Sequence, residues 1–421
     1  MLQHFWELKN KLSKGFKNTK WIRHFLLWYH ASIKGQSVSK TAYAKATYYC
    51  SCNNFLNKLM TNILKRTPLY DLHVAAGARL VEFGGWEMPV QYKGLVAEHK
   101  AVRSQVGMFD VSHMGKFTIS GEGVLETLNK LVPSNLGRVK VGQALYTVLL
   151  NEQAGIIDDV IFYRHEPDGA LENWSVIVNA STTDKDKAWL QQHLGDRLID
   201  NSASQTLIAV QGKTAISTLQ NIITEDLSKL PRLRFGHTRT QVLGVPSFVA
   251  RTGYTGEDGC EIMTDIETGK ALWQKLLDLG VAPCGLGCRD TLRLEAGMHL
   301  YGQDMNDTIT PLEADLMWIV HLKEKGDFIG RAVLEDQKLN GVSRKLIGLE
   351  LEGRNIARHD YPIRFEGETV GIVTSGTMSP TLGKAIAFGY VPTHLAKNGQ
   401  ILQVQIRDKE FPAKVTKRNF L

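Results

Sequence analysis

From Thr67 onward, stretches in which every second residue is apolar alternate with stretches in which apolar residues recur every three or four positions. These are the periods of a half-buried strand and of an amphipathic helix. Lys116-Phe117-Thr118-Ile119-Ser120 alternates and stops at Gly121-Glu122-Gly123, after which Val124 to Leu131 has helical spacing. Ala144 to Leu150 predicts a strand, Asn151-Glu152-Gln153-Ala154-Gly155 its turn, and Ile156 to Arg164 the returning strand of a hairpin. Leu207-Ile208-Ala209-Val210 predicts a short buried strand before a helix at about 213–223. Ser247 to Arg251 and Cys260 to Thr264 flank a glycine-rich loop, and Leu286 to Ala296 predicts another helix. The steady rhythm of a doubly wound sheet is missing, so the expected class is α+β.

After Arg344 the pattern holds strands without helices: Lys345 to Leu351, Ile363 to Phe365, Thr369 to Ser375, Ala385 to Val391 and Leu402 to Ile406. Short strands punctuated by Gly and Pro predict a small β-barrel or sandwich. The boundary falls near 335–345, where Gln337, Lys338, Asn340 and Gly341 cluster. No repeat of solenoid period is present.

The net charge of +7 changes the picture only through its placement. Residues 1–66 hold twelve Lys/Arg and a single acid, Glu7, so this segment carries +11 and the rest −4. Residues 1–59 are set apart as a basic N-terminal extension, either a targeting leader or upstream sequence before a start at Met60. With Arg23 the only arginine before residue 66, the segment is Lys-rich rather than Arg-rich, unlike mitochondrial leaders. No nucleic-acid partner is expected for the mildly acidic body. Five scattered cysteines do not form a secreted disulfide framework, which places the chain in a reducing interior. The longest apolar stretches fall far short of the roughly 20 residues that cross a bilayer, so no membrane span is expected.

Three clusters carry candidate chemistry. In Ile156-Ile157-Asp158-Asp159-Val160-Ile161-Phe162-Tyr163 two carboxylates enter an otherwise apolar strand. Strand alternation sends them to opposite faces, Asp159 with Ile157, Ile161 and Tyr163, Asp158 with Ile156, Val160 and Phe162, so they are not expected to share a pocket. A buried carboxylate needs a partner or a task, and the alternative is that both cap the hairpin turn. In Arg251 to Glu261, three glycines able to take positive φ make a tight loop, Tyr254 offers a ring for stacking, and Glu261 points away from Cys260 and Ile262. In Cys288 to Glu295, Arg289 and Arg293 share a helix face, and Arg289 lies near the helix start, which favours anions. A surface helix with Asp290 and Glu295 paired to the arginines is the plainer reading of that segment.

Other chemistries drop out. Gln211-Gly212-Lys213-Thr214 has Leu207 where a phosphate loop needs glycine, and Gly285-Leu286-Gly287 lacks a third glycine. Cys284 and Cys288 have no second ligand pair close by in sequence, so no metal is expected. His113 is either a base or a core histidine bonded to a backbone carbonyl.

Taken jointly, the motifs resemble the aminomethyltransferase, or T-protein, family of the glycine cleavage system. The resemblance runs from Thr67 to about residue 412. It includes Gly84-Gly85-Trp86-Glu87-Met88-Pro89, Met108-Phe109-Asp110-Val111-Ser112-His113-Met114, Gly155-Ile156-Ile157-Asp158-Asp159, Gly253-Tyr254-Thr255-Gly256-Glu257-Asp258-Gly259, Arg289-Asp290-Thr291-Leu292-Arg293-Leu294-Glu295 and Val373-Thr374-Ser375-Gly376-Thr377-Met378. It implies three domains in a cloverleaf around a central folate channel: a folate-binding region over 60–335, formed of two intertwined α+β domains, and a C-terminal β-barrel over 345–421.

The resemblance further implies transfer of the methylene of the aminomethyl-lipoyl arm of H-protein to tetrahydrofolate, with release of ammonia, and other glycine cleavage components as partners. Asp159 matches the family's catalytic aspartate, suited to steadying positive charge as the one-carbon unit moves. Glu261, Arg289, Tyr254 and Asn179 match folate-binding positions, and Met114 and Tyr146 fall where the family lines the pocket. Lys213 stands where the family has proline, and a C-terminal tyrosine of some members has no counterpart in Arg418-Asn419-Phe420-Leu421. A related folate-dependent demethylase or one-carbon transferase with another donor is the alternative. No dinucleotide fingerprint precedes residue 67, unlike the flavin-bearing oxidative relatives, and the Lys-Gly-Cys motif of the iron–sulfur assembly relatives is absent. The expected compartment is cytoplasmic, or the mitochondrial matrix if residues 1–59 are a true leader.

Overall fold

A computed structural model describes residues 64–232 and 235–421, so the proposed extension 1–59 and the start at Met60 lie outside the described residues. A six-stranded sheet runs in the order His237–Val242, Val245–Ala250, Gly259–Asp265, Gln205–Gln211, Gly107–Asp110 and Ala282–Pro283. Its neighbours are antiparallel except the last pair. On one face Ile208, Val210, Cys260 and Ile262 pack against Leu272, Trp273 and Leu276 of the helix Ile266–Asp278. A five-stranded antiparallel sheet runs Gln143–Leu150, Ile156–Arg164, Glu172–Val178, Gly115–Gly121, Leu198–Asp200. Its Phe117, Ile119, Val160, Phe162 and Val176 pack against the helices Val124–Leu131 and Thr183–Leu194.

The remaining faces share a third core. Phe109, Leu207, Ala209, Phe248 and Met263 from one sheet meet Ala144, Tyr163 and Ile177 from the other, together with Cys288 and Leu292 of the helix Leu286–Glu295. In the strands Gly259–Asp265 and Ile156–Arg164 periodicity therefore aims the residues in step with Met263 and Tyr163, Glu261 and Asp159 among them, at the region between the sheets. The chain visits the six-stranded sheet at Gly107–Asp110, crosses to the other at Gly115–Gly121 and returns at Gln205–Gln211.

The C-terminal strands close a barrel in the order Arg344–Leu351, Ala385–Pro392, Glu368–Met378, Pro362–Phe365, Ile401–Ile406, Lys409–Thr416. The last strand pairs with both Ile401–Ile406 and Arg344–Leu351. Five of the six were expected. Lys409–Thr416 escapes sequence reading because exposed Lys409, Glu410 and Lys414 and the half-buried Pro412 blur its alternation. Asp304 ties the barrel to the rest: its carboxylate accepts from Arg293 Nη1 at 2.6 Å, Ser375 Oγ at 2.7 Å and the Leu300 N–H at 2.9 Å. Its own carbonyl accepts from the Tyr390 hydroxyl at 2.8 Å.

The helix expected at about 213–223 is shorter, Ala215–Leu219. Gln220 turns its amide onto the carbonyls of Ile223 and Glu225, and Ile223 forms a bridge with Val242, which draws that stretch out of helical geometry. No described helix is long and apolar enough to cross a membrane.

Candidate active site

The site begins with a clamped turn. Asn151 Oδ1 accepts from the N–H groups of Gln153 and Gly155, so the hairpin turn is capped by Asn151 and not by the aspartates. A Cβ on Gly155 would lie 1.8 Å from the Asp307 carbonyl oxygen, so only glycine permits this approach. In the hairpin that follows, Leu150 pairs with Ile156 and Leu149 with Asp158. Ile157 is thus the extra residue of a β-bulge. The bulge resets alternation: Ile157 packs on the helix side with Val160 and Phe162, not beside Asp159.

Asp158 is fully buried, whereas Asp159 keeps partial exposure. The two carboxylates were not expected to share a pocket, yet one side chain joins them. Extending the pairing of Ile161 with Ile177 sets Asn179 opposite Asp159. The Asn179 amide nitrogen donates to Asp159 Oδ1 at 2.8 Å and to Asp158 Oδ1 at 2.9 Å, bridging both. The Tyr146 hydroxyl donates to Asp159 Oδ2 at 3.1 Å. Burial, reinforced by the neighbouring Asp158 charge, pushes the Asp159 carboxyl up to about 7 against the opposing pull of the Tyr146 and Asn179 hydrogen bonds.

Tyr254 connects this carboxylate to the second cluster. Its hydroxyl donates to the His299 carbonyl, its ring lies 4.7 Å beneath the Arg289 guanidinium, and the Asp159 charge acts on it. Arg289 also stands 6.0 Å from the Phe109 ring, and its Nη1 is buried without a hydrogen-bond partner. Burial lowers its proton affinity, and the charge of Glu261 opposes that. Glu261 accepts from the Thr252 hydroxyl at 2.6 Å. Met114 packs at the edge of the core between the sheets, its carbonyl held by the buried Lys116 Nζ at 2.8 Å.

Two further expectations need correcting. Of the three glycines after Arg251 only Gly256 takes positive φ, at 80°. Gly253 and Gly259 are required by contact, since a Cβ there would lie 1.8 Å from Gln211 Oε1 and 2.2 Å from the Val210 carbonyl. The Cys288 to Glu295 helix is no surface helix. Arg293 is 1% exposed and pairs with Asp290 and Asp304, while Glu295 pairs with Arg103 and His99. His113 is corrected too: its Nδ1 is buried with no partner, and burial pushes the ring down to about 4.

Cys284, Cys288 and Glu98 gather their ligand atoms within 4.8 Å of one another. Glu98 is nevertheless spent on the backbone N–H groups of Tyr92, Gly94 and Gly285, which makes the group a lock between segments. Sequence reading missed Trp318, 62% exposed and stacked on Tyr146 with centroids 6.0 Å apart. It also missed Thr182 and Asp186, which stand behind Asp158; the spacing Asn179, Thr182, Asp186 at a helix start was the available clue.

A family profile described as "GCVT N-terminal domain" matches residues 69–324, and one described as "Glycine cleavage T-protein C-terminal barrel domain" matches residues 344–421. The chain belongs to the glycine cleavage T-protein family. A curated T-protein relative from Synechocystis sp., named aminomethyltransferase, is 58% identical over 84% of this chain and 96% of its own length. One from Nostoc sp. under the same name is 57% identical over 85% and 96%. The crystal structure of the glycine cleavage system aminomethyltransferase T from Bartonella henselae superposes with a TM-score of 0.78 at 34% identity, covering 85% of this chain and 98% of that one.

Proposed function

We propose that the chain catalyses the aminomethyltransferase step of glycine cleavage, moving the methylene of the aminomethyl-lipoyl arm of H-protein to tetrahydrofolate. Ammonia and the dihydrolipoyl arm are the other products: two N–H protons of the folate end on the departing amine and the sulfur, which balances the reaction. One observation carries this reading beyond family membership. A carboxylate with proton affinity near neutrality acts electrostatically on a stacked Tyr–Arg pair, and a second carboxylate acts on the arginine of that pair.

The residues present suit a reduced folate. The orphaned Arg289 Nη1 is a donor awaiting an acceptor, Glu261 is an acceptor suited to the paired N–H groups of a pterin edge, and Tyr254 and Tyr146 supply aromatic walls. Asn179 keeps only its Oδ1 for a ligand, because its nitrogen is spent on the aspartates. When bound, the folate supplies two nitrogens that receive the carbon. Asp159, fixed by Tyr146 and Asn179, steadies the positive charge growing on the one-carbon unit, and its raised proton affinity lets it hold a proton within a turnover.

In this reading residues 60–335 are the folate-binding region of two intertwined domains, and 345–421 the barrel domain. Lipoylated H-protein is the partner, no metal takes part, and the setting is cytoplasmic. The test is ammonia release and methylenetetrahydrofolate formation from aminomethylated H-protein. Asp159→Asn and Asp159→Ala are expected to lose about 10²-fold or more in kcat. Full activity in both would overturn the assignment of Asp159.

A further inference from the structure

Behind Asp159 lies a carboxylate that the chemistry above does not use. Asp186, in the first turn of the helix Thr183–Leu194, is fully buried, and neither of its oxygens receives a hydrogen bond from a described residue. Its neighbour is the carboxylate of Asp158. Two desolvated carboxylates in contact cannot both ionise, so one proton lies between them.

The donors decide where it sits. Asp158 accepts from the Asn179 backbone N–H at 3.0 Å, the Asn179 side-chain nitrogen at 2.9 Å and the Thr182 hydroxyl at 3.0 Å. Three donors stabilise the ionised form of Asp158, and Asp186 has none. The influences that favour an ionised Asp186 are the nearby Thr182 hydroxyl, the helix N-terminus and Lys185, but the Thr182 hydroxyl is directed to Asp158 and the Lys185 ammonium is engaged by the Ile157 carbonyl at 2.6 Å and the Tyr301 hydroxyl at 2.7 Å. Tyr146, Tyr254 and Tyr301 are the other titratable groups facing the aspartates, and Arg418 acts on Tyr146.

We propose that Asp186 is a protonated carboxylic acid donating to an ionised Asp158, and that this pair, acting through the Asn179 amide, is the positioning device that orients Asp159. A charged Asp158 is the acceptor that turns the Asn179 nitrogen inward, and the second hydrogen of that nitrogen is the one Asp159 receives. Asp158 also supplies the like charge that resists ionisation of its neighbour. The proton on Asp186 makes a buried anion at Asp158 sustainable. The inference rests on the folate-transfer reading for its purpose, but not for its first test.

That test is infrared difference spectroscopy of the full chain, unmodified minus Asp186→Asn, in light and heavy water. A carbonyl-stretch band of a protonated carboxylic acid, shifted by deuteration and constant from about pH 5 to 8, is the expected result. Its absence at pH 7 overturns the proposal. In kinetics, Asp186→Asn replaces one neutral donor by another, so the acid limb of kcat/KM should not move, whatever the change in its height. Asp158→Asn removes a charge and should move that limb down by about one unit or more. A downward shift of that size in Asp186→Asn would mean that Asp186 carries charge, which also overturns the proposal. If the band is present but Asp159→Asn keeps full activity, the catalytic reading fails and the carboxyl pair stands.

Discussion

Asp159 is held between forces of opposite sign. Burial and Asp158 favour its acid form, while Tyr146 and Asn179 favour the carboxylate. If the ionised form is the active one, kcat/KM should fall below about pH 7 with unit slope, since this profile reports the free enzyme. A profile flat down to pH 5 would deny Asp159 that role. Arg289 makes a sharper case, because its unpaired Nη1 costs the empty protein free energy. Arg289→Met is expected to weaken tetrahydrofolate binding tenfold or more while leaving the unliganded protein as stable as before or more so. Titration calorimetry and thermal melts on one sample would check both halves. At this scale the sequence spoke through residue type, a carboxylate in an apolar strand and an arginine at a helix start. For Asp186 it offered only the spacing Asn179, Thr182, Asp186, because the role of that residue depends on a neighbour 28 positions away.

At the scale of elements, period alone marks the hairpin Gln143–Arg164, the helix Val124–Leu131 and the strands of the barrel other than the last. The bulge at Ile157 is another matter. Alternation presupposes an unbroken ladder, and one inserted residue reverses the facing of everything before it. Nothing in Ile156-Ile157-Asp158 announces that, because the insertion is fixed by the Asn151 turn docking on the 306–309 loop through Asn151 Nδ2 to the Asp307 carbonyl at 2.9 Å and the Ile156 N–H to the Ile309 carbonyl at 3.0 Å. Gly155→Ala should therefore force the turn off that loop and cost about 2 kcal/mol or more in urea unfolding, with loss of activity from displaced aspartates. Burial of the helix Leu286–Glu295 was equally hidden: its arginine and acid content suits a solvated face, and the core between the sheets on one side and the covering barrel on the other make it internal.

Across the whole molecule, Asp304 joins the two regions, and Asp304→Ala should cost about 3 kcal/mol by leaving the buried Arg293 cation with the exposed Asp290 as its remaining acid partner. Denaturant midpoints would measure it. Four histidines set the acid limit. Burial pushes His113 and His237 down to about 4 and His165 and His299 to about 3. The unfolded chain takes up these protons first, so stability present above about pH 6.5 is lost as pH falls toward 4. Asp159 and Asp186, raised by burial, work the other way and lose their contribution as pH rises. The histidines outnumber them, so the melting temperature should drop on acidification below pH 6.5.

Because Lys409–Thr416 is the staple between the first and fifth strands of the barrel, the cylinder has two open edges until residue 416 has left the ribosome. The Phe420 N–H then reaches the Glu295 carbonyl at the end of the helix that carries Arg289. Completion of the helix that carries Arg289 therefore waits on residue 420, and a nascent chain stalled before residue 409 would offer two unpaired strand edges to chaperones and proteases.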